Sequence, residues 1–344
     1  MKKFKNILYV GPLTNGSTCK HRCESLVKLG HSIKTIDYGK HNYHWLLRLT
    51  PPPLLKRISP LIDPNYINRR IKNTALRTKP DILWIDKIIH LKKSTLIKIQ
   101  EACRTTICTF YSPDDMFNRQ NSSIVFRKAI PHYDKIITTK SYNVNEYYNS
   151  GARHVIFTNN AYSESTHKPT SQPPNGDRYD ISFIGAQEDD RHNKIVELAN
   201  NLPNRQIHIW GMWKWNTNKP SNIVMHEKFL ADSDYARMIS ASKINLCFLR
   251  KVNRDLQTTR TMEIPACGGF MLAERTDEHS SLFTEGEEAE FFSSTNELIE
   301  KAKHYLQDEE TRHQISIRAR ERCLSSGYSN KETMARLISQ ICEE

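Results

Sequence analysis

The stretch TRTMEIPACGGFMLAE, residues 259–274, sets one carboxylate, Glu263, ahead of a proline, a cysteine and two glycines, then runs into an apolar segment. A helix over about 259–266 is expected, ended by Gly268 and Gly269, residues free to leave the helical conformation. Glu263 then lies on its second turn. The unpaired N–H groups and dipole of such a helix start form a site for a phosphate or diphosphate, and Arg260 adds a charged contact to it. A carboxylate one turn further on can accept two hydrogen bonds from a ribose diol, each worth about 1.5–3 kcal/mol when charge-assisted. Glu263 therefore reads as a nucleotide ligand, with a helix-cap or ion-pair role as the competing structural account.

Other reactive residue types also cluster at expected strand ends. Arg250 and Lys251 close INLCFLRK (244–251) and could hold phosphate. IWGMWKW (209–215) carries three tryptophans, which suit either a nucleobase wall or plain packing. Gly11, Asn15 and Gly16 form a glycine-bearing loop ahead of a helix carrying Arg22. The loop is not a dinucleotide fingerprint, because Gly-x-Gly-x-x-Gly is absent, and we assign Gly16 and Arg22 to the acceptor side. In YSPDDMF, Asp114 and Asp115 follow a strand. A carboxylate there either acts on an acceptor hydroxyl as general base, orients a sugar, or caps a helix.

These residues need elements to hold them. NILYVG (6–11), a helix over 17–30 and SIKTIDY (32–38) read as a β-α-β unit, hence a parallel sheet. DILWID (81–86), TTICTFY (105–111) and KIITT (135–139) continue it. SESTHKPTSQPPNGDRY (163–179) has no apolar periodicity and reads as a linker. The alternation then restarts with YDISFIG (179–185), QIHIWG (206–211), NIVMHE (222–227), INLCFL (244–249) and AEFFS (289–293), interspersed with helices. The expected fold is α/β: two Rossmann-like, doubly wound parallel-sheet domains facing each other across a cleft, with C-terminal helices. The boundaries are 1–165, a linker over 166–178, a second domain over 179–327 and a helix over 328–344 that packs back on the first domain.

Charge is distributed unevenly. Residues 1–170 hold 28 Lys+Arg against 11 Asp+Glu, a net of +17, whereas residues 171–344 hold 22 against 27, a net of −5. A basic half attracts nucleic acid, anionic lipid or a phosphorylated acceptor, or is merely solvated. HWLLRLTPPPLLKRISPLI (44–62) is compatible with lying on an anionic membrane or with packing on the sheet. No window is apolar enough to span a bilayer and the N-terminal apolar run is too short for a signal peptide, so a cytoplasmic location is expected. The 8 cysteines lack Cys-x-x-Cys or zinc-like His spacing, and no metal site is expected.

RDLQTTRTMEIPACGGFMLAE, then LFTEGEEAEFFSS and NELIEKAKHYLQ, together resemble the C-terminal domain of the CgeB-like, spore-maturation type of GT-B glycosyltransferases. YSPDD and YDKIITTKSYNVNEYYNSGARHVIFTNNAY resemble that group's first half, and together these stretches cover about half the chain. The same segment is similar to the Glu-x7-Glu motif of retaining enzymes, here written Asp-x7-Glu with Asp255 eight positions before Glu263. The resemblance implies that Glu263 holds the ribose and Asp255 the donor sugar, the latter with a shorter side chain. It also sets Thr258 and Thr259 at the phosphates, Arg191 and Gly185 in a loop facing the diphosphate, and Gly211 and Trp213 near the base. The implied activity is transfer of a hexosyl group from a nucleoside diphosphate sugar, without metal or other cofactor. The expected acceptor is a surface glycan or phosphorylated lipid carrier, and the charge of the basic half, rather than the resemblance, points to peripheral contact with the membrane. Retention of configuration is favoured. A nucleotide-sugar epimerase and a nucleic-acid-binding protein are the rival readings; no recognition motif supports the latter, so nucleic acid is not expected as a partner.

Overall fold

The computed structural model describes residues 4–38, 66–170, 179–215, 219–230 and 232–343. The segment 44–62 lies outside the described residues. The chain divides into two compact units, one of residues 1–159 with 331–344 and the other of residues 160–330.

In the first unit six parallel strands are ordered β2-β1-β3-β4-β5-β6. They are β1 (Asn6–Gly11), β2 (Ser32–Asp37), β3 (Ile82–Asp86), β4 (Ile107–Ser112), β5 (Lys135–Thr138) and β6 (Val155–Phe157). Alternation along β1 decides what covers each face. Ile7 and Tyr9 pack with Cys23 and Leu26 of α1 (Thr18–Lys28) and with Met334, Leu337 and Ile341 of the last helix, α12 (Asn330–Cys342). Leu8 and Val10 point the other way, toward α2 (Ile67–Thr78), α3 (Lys93–Ala102) and α4 (Ile124–Ala129). A short helix, α5 (Asn143–Asn149), links β5 to β6.

The second unit also has six parallel strands, ordered β12-β11-β10-β7-β8-β9. They are β7 (Tyr179–Ile184), β8 (Ile207–Trp210), β9 (Ile223–His226), β10 (Ser242–Cys247), β11 (Met271–Glu274) and β12 (Glu290–Phe292). Ile181 and Phe183 face α6 (Asp189–Asn201), α10 (Thr295–Gln307) and α11 (Glu309–Ser325). Ile184 and Trp210 face α7 (Asp232–Ala241) and α8 (Thr259–Ala266). α9 (Asp277–Leu282) follows β11.

Each sheet has a point where the winding reverses, between β1 and β3 in the first unit and between β7 and β10 in the second. Ligands of doubly wound sheets bind outside the carboxyl ends of the strands at such points. The polar residues gathered there are therefore the ones to follow.

Candidate functional site

In the second unit β7 ends against Gly185. A Cβ on this residue would come 2.8 Å from the Phe183 ring and 3.0 Å from Nη2 of Arg260, so the glycine leaves room for that guanidinium. Gly211, after β8, has φ +147°, and a Cβ there would lie 2.4 Å from the Gly185 carbonyl oxygen. The same carbonyl accepts the indole N–H of Trp213 at 2.8 Å. Trp213 is thus packed inside the unit, 5% exposed and edge-on to Phe183, and supplies no open face for a base. Phe229, just beyond β9, is an exposed aromatic.

Two arginines converge on the reversal point. Arg191, the third residue of α6, is 2% exposed; it donates from Nη1 to the Ala186 carbonyl (3.1 Å) and from Nη2 to that of Phe248 (3.4 Å), just beyond β7 and β10. Its Nε has no hydrogen-bond partner among the described residues. Arg260 donates from Nε to the Ile184 carbonyl at 2.6 Å. Both guanidinium carbons lie close to the Phe183 ring, at 5.6 Å for Arg191 and 5.9 Å for Arg260. Burial lowers the Arg191 pKa from its ordinary value; Glu188 opposes this, and the charges of Arg260 and Arg250 add to it. Cations crowded together with incomplete neutralisation make a site that gains from an anion. Arg250 pairs with Glu188 at 2.8 Å, and Lys251 is an exposed residue 3.7 Å from Asp190.

Helix α8 opens with a capping box. The Thr258 hydroxyl accepts from the Arg260 amide (3.0 Å), and the Thr261 hydroxyl accepts from the Thr258 amide (3.0 Å). Thr258 is therefore committed to the helix start, and half-buried Thr259 is its first residue. Below them His279 Nδ1 lies 2.6 Å from the Glu274 carbonyl and Nε2 2.8 Å from the Thr261 hydroxyl. A carbonyl only accepts, so Nδ1 carries the proton and Nε2 accepts from Thr261. Burial lowers the His279 pKa and favours this neutral form. The chain of bonds ties α8 to the end of β11.

Glu263 sits on the second turn of α8, 7% exposed. His167 faces it, Nε2 to Oε1 at 3.9 Å, and the His167 ring meets Tyr235 edge-on. His167 Nδ1 accepts the Ser163 amide, which leaves Nε2 as the N–H turned toward the carboxylate. Burial, and after it the Glu263 charge, raises the Tyr235 pKa. His167 and Tyr235 carry no motif, and only their contact with Glu263 singles them out.

A cavity of about 420 Å³ lies beside these strand ends, lined by Lys194, Lys251, Asp255, Glu274 and Thr276 among others. Glu274 accepts from Lys194 (2.7 Å) and from the Leu249 amide (2.7 Å), fixing α6, β10 and β11 together. Asp255 accepts the Asn253 side-chain amide at 2.7 Å and remains half-buried in the cavity wall. A second cavity, about 430 Å³, lies at the opposite, amino ends of β10 and β11.

In the first unit the corresponding point is built differently. Gly16 is exposed with φ +73°, whereas Arg22 is buried below that loop and paired with Asp86, its guanidinium 4.2 Å from the Tyr111 ring centroid. Tyr9 and Cys19 also donate to Asp86, and burial, reinforced by that charge, pushes the Cys19 thiol to about 12. Arg22 thus supports the loop from beneath. Asp115 is 1% exposed and accepts the Phe117 amide and the Asn143 side chain, each at 3.0 Å, so it holds a turn and the start of α5. Asp114 keeps more solvent access and pairs with Lys87 at 2.8 Å. Lys87 follows β3 with φ +63°, an unusual conformation for a residue with a side chain. Nothing in its sequence context announces that backbone, although its place after an apolar strand matches that of Arg250.

Each unit has the doubly wound sheet of the GT-B glycosyltransferase fold. Residues 191–339, rather less than half of the chain, match the family described as glycosyl transferase-like. Among curated proteins none matches in sequence. Sucrose-phosphate synthase from Thermosynechococcus elongatus superposes with a TM-score of 0.67 at 11% identity, over 98% of both chains. A glycosyltransferase from Rickettsia africae gives 0.64 at 12% identity, over 99% of this chain and 98% of that one. HepE from Anabaena, solved in complex with UDP-glucose, gives 0.62 at 11% identity, over 98% of this chain and all of that one. At such identities the likeness establishes the fold alone.

Proposed function

We propose that this protein is a glycosyltransferase whose second unit binds a nucleoside diphosphate sugar and whose first unit receives the acceptor hydroxyl. The observation that carries the reading is the Arg191 and Arg260 pair at the β7–β10 reversal point, with Arg260 one helix turn from the buried carboxylate of Glu263. Its support is chemical: a diphosphate satisfies clustered guanidinium groups, and a carboxylate one turn on accepts from a ribose diol. The match of residues 191–339 to the glycosyl transferase-like family and the UDP-glucose bound by HepE agree with it.

In this reading Arg191, Arg260, Arg250 and Lys251 stabilise the charge that develops on the departing nucleoside diphosphate, so transfer proceeds without a metal ion. Asp255 contacts hydroxyls of the donor sugar from the cavity wall. Asp114, beside Lys87, acts on the acceptor hydroxyl or orients it. The transferred group is a hexosyl, the Asp-x7-Glu spacing favours retention of configuration, and the acceptor is a bacterial surface glycan or its phosphorylated lipid carrier.

The test is a panel of nucleoside diphosphate sugars screened for thermal stabilisation, followed by assays of transfer, hydrolysis and epimerisation with whichever binds. Glu263→Ala should then weaken donor binding about ten- to a hundredfold with the fold intact. Stabilisation by no nucleotide would end the proposal, and epimerisation without transfer would replace it.

A further inference from the structure

The helices α2, α3 and α4 lie side by side on one face of the first sheet, burying Ile67, Ile71, Leu96, Ile99 and Phe126 against it. Their sequences hold eight Lys and Arg against a single acid, Glu101. Burial of the apolar stripe turns the cations outward: Arg69, Arg77, Lys93, Lys98, Arg127 and Lys128 are all exposed. Between them stand uncovered apolar side chains, Tyr66 at 72%, Ile124 at 68% and Leu76 at 36% exposure. On the opposite face of the sheet α12 mixes Lys331 and Arg336 with Glu332. The three helices thus carry a net charge of +7, against +3 for α1 and α12 together on the other face, where five Lys and Arg meet Glu24 and Glu332.

We propose that the outer face of α2, α3 and α4 docks on an anionic lipid surface. A bilayer complements both features at once: its headgroups neutralise the cations, and its interfacial region receives Tyr66, Leu76 and Ile124. Nucleic acid would complement the charge but gain nothing from exposed Leu and Ile, and base stacking would call for aromatic residues across the face, of which Tyr66 is one at its edge. Docking here holds the first unit at a membrane whatever its acceptor, and it rests on no statement about the donor.

Co-sedimentation of the full chain, without nucleotide, measures it. Vesicles rich in phosphatidylglycerol should carry the protein down at low salt, and pure phosphatidylcholine vesicles should not. Arg69→Glu with Arg77→Glu should weaken binding at least about tenfold, since each surface cation contributes roughly fivefold. Lys331→Glu with Arg336→Glu makes the same change in net charge on the other face and should leave binding within about twofold. Leu76→Asn with Ile124→Asn should remove the part of binding that survives high salt. Far-UV circular dichroism checks that these surface variants are folded. Equal loss in both charge reversals, equal binding to neutral vesicles, or retention of a single-stranded RNA oligonucleotide by the same face without vesicle binding would each overturn the proposal.

Discussion

The Arg22 guanidinium meets the Asp86 carboxylate through two bonds, Nε to Oδ2 at 2.8 Å and Nη2 to Oδ1 at 2.9 Å, with 4% and 0% of the two side chains exposed. The pair joins the start of α1 to the end of β3, beneath the loop of Gly16. Removing one partner leaves a buried charge uncompensated, whereas removing both does not. Asp86→Ala should cost about 3–5 kcal/mol in urea unfolding, and Arg22→Met with Asp86→Leu should recover much of that loss. A single-variant cost under about 1 kcal/mol, the range of a solvated pair, would show that the pair is not buried in solution.

Gly211 is a second point where chemistry depends on backbone. Its φ of +147° and the 2.4 Å separation of a built Cβ from the Gly185 carbonyl leave no room for alanine. Gly211→Ala should destabilise the protein by at least about 2 kcal/mol, because the β7 and β8 ends must part. It should also release Trp213 from the Gly185 carbonyl, visible as a shift in tryptophan fluorescence. Unchanged melting and emission would mean that the two loops are already apart.

Much of this architecture was readable from pattern. Strands such as NILYVG and DILWID are short apolar runs with clear ends, and they appear as β1 and β3. β6 was not readable: Val155–Phe157 is apolar but only three residues long, partly or fully exposed at the sheet edge, too short a run to mark a strand. Spacing also marked Glu263 and Arg260, because helix start, carboxylate and glycines lie within one segment. What spacing lacks is partners distant in sequence. Asp86 stands 64 positions from Arg22 and turns it from an acceptor-side candidate into a buried strut. Trp213 read as a wall for a base because an aromatic cluster looks the same whether it faces a ligand or, as here, a neighbouring ring and a carbonyl.

Arg260 offers a test that separates a diphosphate site from general stabilisation of the unit. Its Nε is held by the Ile184 carbonyl, and its Nη2 lies beside Gly185. Arg260→Ala should weaken binding of the nucleoside diphosphate about tenfold or more, while binding of the corresponding nucleoside changes little, since charge-assisted bonds to phosphate are lost and base contacts are not. Calorimetric titration of both ligands measures the difference. Equal losses for the two would place Arg260 outside any phosphate site.

His208 couples the second unit to pH. It is stacked with His226, their ring nitrogens 3.0 Å apart, and burial followed by the His226 charge lowers its pKa from 6.5 to about 4. Above pH 6.5 the residue is neutral in both folded and unfolded chains, and no dependence arises. Between pH 6.5 and about 4 the unfolded chain takes up a proton that the folded chain refuses, so folding loses stability as pH falls through that window. His208→Gln removes the titrating ring and keeps a polar side chain. Its melting temperature should fall less than that of the native protein between pH 7 and pH 4.5, apart from a constant offset at neutral pH. Parallel curves for the two proteins would assign the acid sensitivity to other groups.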